Sequence, residues 1–248
     1  MASTRLYINN LSQTTWIKAP EKVYADFSSV AVWKASVSQL KPHLQNLQAL
    51  LSVPETEKAL RYKQENDRNQ HVLSKAVLRI LLSRYTGIDP KEIRFKADQN
   101  KKPCLENAFS GQLHFNVSHS GNCILVAIAD TPVGIDVEKI NASFTYQNML
   151  NFSFNQEEAD FIENSAHPIQ SFYQLWTRKE CLLKATGKGL VDDLTAIPGL
   201  DGIHPNPETI IQSAENWEIT SFKVDENHVG SVSFNPVKTA LQFFNFQL

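Results

Sequence analysis

Asp136 and Glu138 stand two residues apart in the stretch Val133-Gly-Ile-Asp-Val-Glu138, where Ile135 and Val137 give the apolar alternation of a half-buried strand. Side chains alternate faces along a strand, so both carboxylates point one way while their apolar neighbours point to the core. Paired acids repel unless solvated or given a cation. An oxygen-only pair suits Mg²⁺, which keeps several waters and completes its shell with substrate phosphates. Taken alone, the same pattern fits an exposed acidic strand face. Further along, Trp176, Glu180 and Lys184 recur every four residues, which aligns them on one helix face. Glu180 can serve there as a third metal carboxylate and Lys184 as a phosphate ligand or proton acceptor, although spacing alone also allows an ordinary salt bridge. A third group is Phe115-Asn-Val-Ser-His-Ser-Gly121. Here Ser118 and His119 follow a strand, and a turn's N–H groups, a hydroxyl and an imidazole together suit a phosphate. Gly-x-Ser-x-Gly is absent, so this is not a hydrolase elbow.

The elements that must position these residues are legible in the pattern. Leu6 to Ile8 reads as a strand. Apolar residues spaced by three and four predict a helix from near Asp67 to the Thr86-Gly87 stop. A strand at Ile93 to Phe95 and the turn Asn100 to Pro103 follow. Leu113 to Val117, the turn Ser118 to Asn122, Cys123 to Ala129 and Gly134 to Glu138 predict a three-stranded antiparallel meander. A second helix opens at Asn155 with a capping box to Glu158, and a third runs from Ile169 to Ala185 and stops at Thr186-Gly187. Each Thr-Gly stop leads to a strand pair, Leu113 to Ala129 and then Trp217 to Phe234. The expected class is therefore α+β, with two similar halves, 1–132 and 133–248, meeting near Pro132.

The 248 residues hold 42% hydrophobic and 20% charged side chains, the balance of an ordinary globular protein. A formal net charge of −2 supplies no basic field for nucleic acid. The longest apolar run, Cys123 to Ala129, has seven residues where a membrane helix needs about 20. Residues 1–10 lack a basic segment followed by an apolar core, so the expectation is a cytoplasmic protein. Cys104, Cys123 and Cys181 are odd in number and widely spaced, which predicts reduced thiols rather than disulfides or a zinc motif.

The ordered set Phe115–Gly121, Val133–Ile140 and Phe172–Leu190 resembles the surfactin-type 4′-phosphopantetheinyl transferases, with likeness from about Pro54 to Leu190. The resemblance implies a pseudo-dimeric fold with the cofactor between the halves. It also implies transfer of phosphopantetheine from coenzyme A to a serine of an acyl, polyketide or peptidyl carrier protein, releasing adenosine 3′,5′-bisphosphate. Which carrier, for fatty acid, polyketide or peptide synthesis, is not written in the residues. By the same likeness Asp136, Glu138 and Glu180 hold Mg²⁺ against the pyrophosphate, and Lys184 contacts the transferred phosphate. Ser118 and His119 reach coenzyme A phosphates, and Lys102-Pro103 lies by the adenosine. The general base is open between Lys184, Glu180 and water. Where the family often has Gly before Lys-Pro this chain has Lys101. Lys58 and Arg61 match basic 3′-phosphate ligands, Glu55 stands where a base is expected, and Arg68 and Lys75 lean toward solvated surface. The apolar segment Phe144 to Phe154 fits either carrier docking or a core. A monomer is expected. The rival readings are a Mg²⁺-dependent nucleotide pyrophosphatase and a non-catalytic coenzyme A binding module.

Overall fold

The computed structural model describes residues 4–19, 29–106, 109–189, 191, 193–236 and 240–248. Leu190, the last residue of the third motif, lies outside them. The first part of the chain supplies β1 (Arg5–Asn10), β2 (Ile17–Lys18), β3 (Ser29–Ser36), α1 (Val37–Leu40), α2 (Leu44–Gln48), α3 (Val53–Leu60) and α4 (Glu65–Thr86). Next come the strands β4 (Phe95–Ala97), β5 (Pro103–Leu105), β6 (His114–Ser120) and β7 (Cys123–Ala129). The second part holds β8 (Val133–Lys139), α5 (Gln147–Ser153), α6 (Gln156–Glu163), α7 (Pro168–Thr186), β9 (Gly202–Pro205), α8 (Glu208–Ile211), β10 (Trp217–Asp225), β11 (His228–Phe234) and β12 (Ala240–Asn245).

Two five-stranded sheets, ordered β2-β12-β3-β7-β6 and β8-β11-β10-β1-β9, lie face to face. The strand β7 is buried along its whole length, which explains its unbroken apolar run. Ile124, Val126 and Ile128 pack under Leu73, Val77 and Leu81 of α4. Their alternates Leu125, Ala127 and Ala129 meet Val133, Ile135 and Val137 of β8 across the sheets. On the far side, Leu182 and Ala185 of α7 pack on Leu6, Ile8 and Ile219. The layers thus run helix, sheet, sheet, helix: an α+β pseudo-dimer.

The two halves share a plan. Both α4 and α7 end where glycine takes a left-handed conformation, Gly87 and Gly187 at φ +73°, and each is followed by a loop and an antiparallel pair, β6–β7 or β10–β11. The terminal strands are exchanged, however. Strand β1 pairs in parallel with β10 in the second sheet, and β12 pairs in parallel with β3 in the first, so a cut between 132 and 133 divides the hairpins but not the sheets.

Three expectations are corrected. The meander does not form: β6 and β7 make a hairpin, but β8 crosses at Asp130–Pro132 into the other sheet and pairs with β11 over seven residues. A three-residue link ending in proline, which has no N–H to give, serves a crossing as readily as a hairpin. Ser118 and His119 stand on β6, and the turn shrinks to Gly121 and Asn122. Ile93 lies in the core before β4 begins, its carbonyl held by Arg79. Among the described residues no helix is long and apolar enough to cross a membrane. All three cysteines are free, and Cys123 and Cys181 are buried.

Candidate functional site

The site begins at the seam where β6, the edge of one sheet, lies beside β8, the edge of the other. Side chains tie the two together. Asn116, Ser118 and Ser120 alternate onto the same face of β6. The Ile135 N–H donates to Asn116 Oδ1 (2.9 Å) and the Lys139 N–H to Ser120 Oγ (3.0 Å). Between them the Ser118 hydroxyl donates to Asp136 Oδ1 (2.8 Å) and the Ser120 hydroxyl to Glu138 Oε2 (2.9 Å). Both acids are therefore oriented by serines from the opposite half.

The helix α7 lies on β8 because Gly134 leaves room for it. A Cβ at that position would stand 2.0 Å from the Cys181 carbonyl oxygen and 2.3 Å from the Ala185 nitrogen. Three consecutive buried residues then fix the rotation of the helix. Thr177 shares a hydrogen bond with Ser231 (2.8 Å). The Arg178 guanidinium donates to Ser221 Oγ, the Gly199 carbonyl and Asp201. The Lys179 ammonium sits 2.6 Å from Glu158, with both side chains 1% exposed, and also reaches the Ser153 and Leu194 carbonyls. With these residues anchored behind, the 176–180–184 stripe faces the seam.

Ser118, His119, Asp136, Glu138, Glu180 and Lys184 line one cleft of 340 Å³ beside the Trp176 indole. The Lys184 ammonium lies 2.5 Å from Asp136 Oδ1 and 3.2 Å from Ser118 Oγ. Asp136 is 3% exposed, and its Oδ2 has no hydrogen-bond partner. Burial, and then the charge of Asp136, push the Glu138 and Glu180 carboxyls above the usual carboxylate range, while Lys184 opposes this. His119 is exposed by area, yet the cleft walls desolvate its ring and lower its pKa, with Lys184 and Lys75 adding to the effect. The lowered pKa favours the neutral imidazole near pH 7.

The donor chemistry fits a hard divalent cation: three carboxylates, one with an orphaned buried oxygen, and no sulfur. They are not a finished cage. Among the described residues no three of His, Cys, Asp or Glu are gathered closely enough to hold a metal, and Lys184 pairs with Asp136 Oδ1.

A second hollow of 300 Å³ shares Glu180 and Lys184 and runs to the β4–β5 hairpin at Asn100, Lys101 and Lys102. Lys101 adopts φ +63°, the left-handed conformation glycine would supply, so the backbone turn survives the change of residue. The Lys102 side chain does not reach into the cleft as a free cation. Its ammonium donates to the Val133 and Ala185 carbonyls (3.0 and 2.9 Å), clamping the hairpin to β8 and the last turn of α7, and burial lowers its pKa to about 8. Pro103 opens β5 beside it, exposed.

In the first half, Lys58 and Arg61 are exposed at the end of α3 and do not line the cleft. Glu55 is structural, since it closes the α3 capping box with Ser52 and pairs at 2.8 Å with Arg79, which is 1% exposed. Lys75 is not a solvated surface charge. Burial lowers its pKa, Glu55 counters, and its field reaches His71 and His119. Arg68 is half-buried. In the apolar segment, Phe144, Tyr146 and Phe154 pack on Phe172, which is the core reading, while Phe152 alone is 79% exposed. Sequence reasoning missed Asn116 and Ser120 as hydrogen-bond partners across the seam, Lys75 as a half-buried cation near the cleft, and the Glu158–Lys179 pair. The i, i+2, i+4 spacing of Asn116, Ser118 and Ser120 was the available signal.

Comparison with known proteins adds two family matches. Residues 31–131 match a family model described as 4′-phosphopantetheinyl transferase, N-terminal, and residues 132–233 match the 4′-phosphopantetheinyl transferase superfamily. The chain is 28% identical to 4′-phosphopantetheinyl transferase HetI of Nostoc sp. over 227 residues, 89% of this chain and 94% of that protein. It is 31% identical to 4′-phosphopantetheinyl transferase Sfp of Bacillus subtilis over 57% of this chain and 62% of the relative. It is also 31% identical to 4′-phosphopantetheinyl transferase gsp of Aneurinibacillus migulanus, over 53% and 54%.

Proposed function

Because the chain belongs to the 4′-phosphopantetheinyl transferase family, we propose that it moves 4′-phosphopantetheine from coenzyme A to a carrier-protein serine, with Mg²⁺, releasing adenosine 3′,5′-bisphosphate. The observation that carries this reading is the joining of Asp136, Glu138, Glu180, Lys184 and His119 in one cleft at the seam of the halves. In the reaction the serine oxygen bonds to the phosphorus that bears pantetheine, and the bond from that phosphorus to the bridging oxygen breaks. The leaving bisphosphate keeps the electron pair. Such transfer asks a protein for positioning and charge stabilisation rather than a covalent nucleophile.

Asp136, Glu138 and Glu180 would hold the Mg²⁺, which when bound offsets charge on the pyrophosphate oxygens. Lys184, flexible and partly exposed, reaches the transferred phosphate. Neutral His119 donates to a coenzyme A phosphate from the β6 side, and Lys75 adds positive potential behind it. Lys58 and Arg61, on the exposed end of α3, would meet the 3′-phosphate from solvent. The Glu180 carboxylate, which lines the cleft one helical turn from Lys184, is our assignment for the acceptor of the serine proton. Lys102 and Pro103 shape the hairpin wall on which the adenosine would rest. The product carrier would serve fatty acid, polyketide or peptide assembly.

The test is intact mass spectrometry of a small apo carrier protein incubated with coenzyme A, Mg²⁺ and this protein, beside an EDTA control and Asp136→Ala. A gain of one phosphopantetheine that disappears with EDTA and with the variant is expected. No gain on any of several carriers, or phosphate release without a carrier, sinks the reading.

A further inference from the structure

Building on the transferase reading, we propose that Lys184 is a resident counter-ion competing with the divalent metal for Asp136, so that the metal binds tightly only together with coenzyme A. Three acids share the cleft, and among the described residues Lys184 is the one ion-pair partner that any of them has. Asp136 is the anchored member of that pair. Its side chain is 5% exposed, set in β8 and held by Ser118, whereas the Lys184 side chain is 31% exposed on a flexible stem.

A buried carboxylate without a positive neighbour is strongly disfavoured, so the ammonium stabilises the empty cluster. The same ammonium obstructs a metal: a divalent ion reaching the orphaned Oδ2 or the shared Oδ1 of Asp136 would lie close to a like charge. Relief has a direction. Lys184 also lines the neighbouring hollow that runs to Asn100 and Lys101, so it borders space outside the acid cluster. Coenzyme A phosphates would give the lysine a new acceptor and free Asp136. Metal and coenzyme A then bind with positive coupling, and each strengthens the other by the same factor.

The experiment measures Mg²⁺ affinity by titration calorimetry, without any carrier, for the full-length protein and for Lys184→Met and Lys184→Arg, with and without coenzyme A. Removing the ammonium should tighten Mg²⁺ binding in the absence of coenzyme A about tenfold, or about 1.4 kcal/mol. Lys184→Arg, which keeps the charge, should stay near the starting affinity. The gain that coenzyme A adds should be smaller in Lys184→Met than in the parent protein. If Lys184→Met does not fold, Lys184→Gln carries the same expectation. Equal or weaker Mg²⁺ binding by the folded neutral variant overturns the competition while leaving the transferase reading intact. A parent protein that takes up no Mg²⁺ even with saturating coenzyme A overturns the metal assignment itself.

Discussion

Gly134→Ala tests whether the approach of α7 to β8 sets the site. The added Cβ would lie 2.0 Å from the Cys181 carbonyl oxygen, where ordinary contact begins at 3.4 Å, so helix and strand must separate by about 1.4 Å. Both obstacles are backbone atoms, and no side-chain rotation relieves them. The helix cannot turn aside either, because Thr177, Arg178 and Lys179 are anchored on its buried side. Overpacking of this kind costs about 1–3 kcal/mol, a fall in melting temperature of roughly 2–12 °C for a chain of this size. The separation also moves Glu180 and Lys184 relative to Asp136 and Glu138, and a misplacement near 1 Å can cost roughly 100-fold in rate. The assay is kcat/KM for carrier modification, read by mass, beside thermal unfolding. Gly87→Ala is the control: its Cβ meets nothing, so the left-handed backbone alone should cost about 1–2 kcal/mol and leave transfer unchanged. A Gly134→Ala protein with parental melting temperature and kcat/KM within twofold refutes the reasoning.

Two further outcomes follow from the buried charges. Lys102 has its pKa lowered by burial from 10.5 to about 8, so between those values the unfolded chain binds more protons and stability from this group rises with pH. Its contribution is complete above about pH 10.5 and is lost as pH falls to 8, at most about 3 kcal/mol. Urea unfolding at pH 8, 9 and 10 should show the parent gaining on Lys102→Met; parallel curves would exclude the clamp as the titrating group. Glu158→Gln leaves the Lys179 ammonium buried without its partner and should cost about 3–5 kcal/mol, whereas Glu158→Leu with Lys179→Met should recover part of that loss. A loss below about 1 kcal/mol in Glu158→Gln, measured by urea unfolding, would mean that the pair does not hold α6 to α7.

Local signals in the sequence were strong where chemistry and element coincide. The glycine stops of α4 and α7, the Asn155–Glu158 capping box and the strand around Asp136 are all properties of a few adjacent residues, and each appears where expected, although Asp136 is buried where the pattern predicts a half-buried strand. The partner of β8 is a different kind of fact. It pairs with β11, about 90 residues away, and nothing between Ala129 and Val133 distinguishes a hairpin from a change of sheet. Ser118 and His119 read as a turn because polar residues near a glycine usually are one. They remain on the strand because β6 stays paired with β7 as far as Ser120, and the face that carries Ser118 looks across the seam instead of into solvent. Lys75 reads as a surface charge for a similar reason. Its burial is countered by the charge of Glu55, some 20 residues upstream, which also pairs with the buried Arg79.

The candidate site draws on both halves of the chain. Neither edge strand makes the site alone: β8 carries the acids, and β6 carries the hydroxyls that orient them. The second sheet is incomplete without β1 from the chain's start, and the first is incomplete without β12 from its end. That exchange ties the halves at the termini, while side chains from Asn116 to Ser120 tie them at the cleft. A ladder of side-chain bonds is softer than a backbone ladder, because each rung turns on a rotatable hydroxyl or amide. Here the two edges are joined without a shared sheet. The rigid references are Gly134, where strand and helix touch, and the Lys102 clamp, which fixes the hairpin to both.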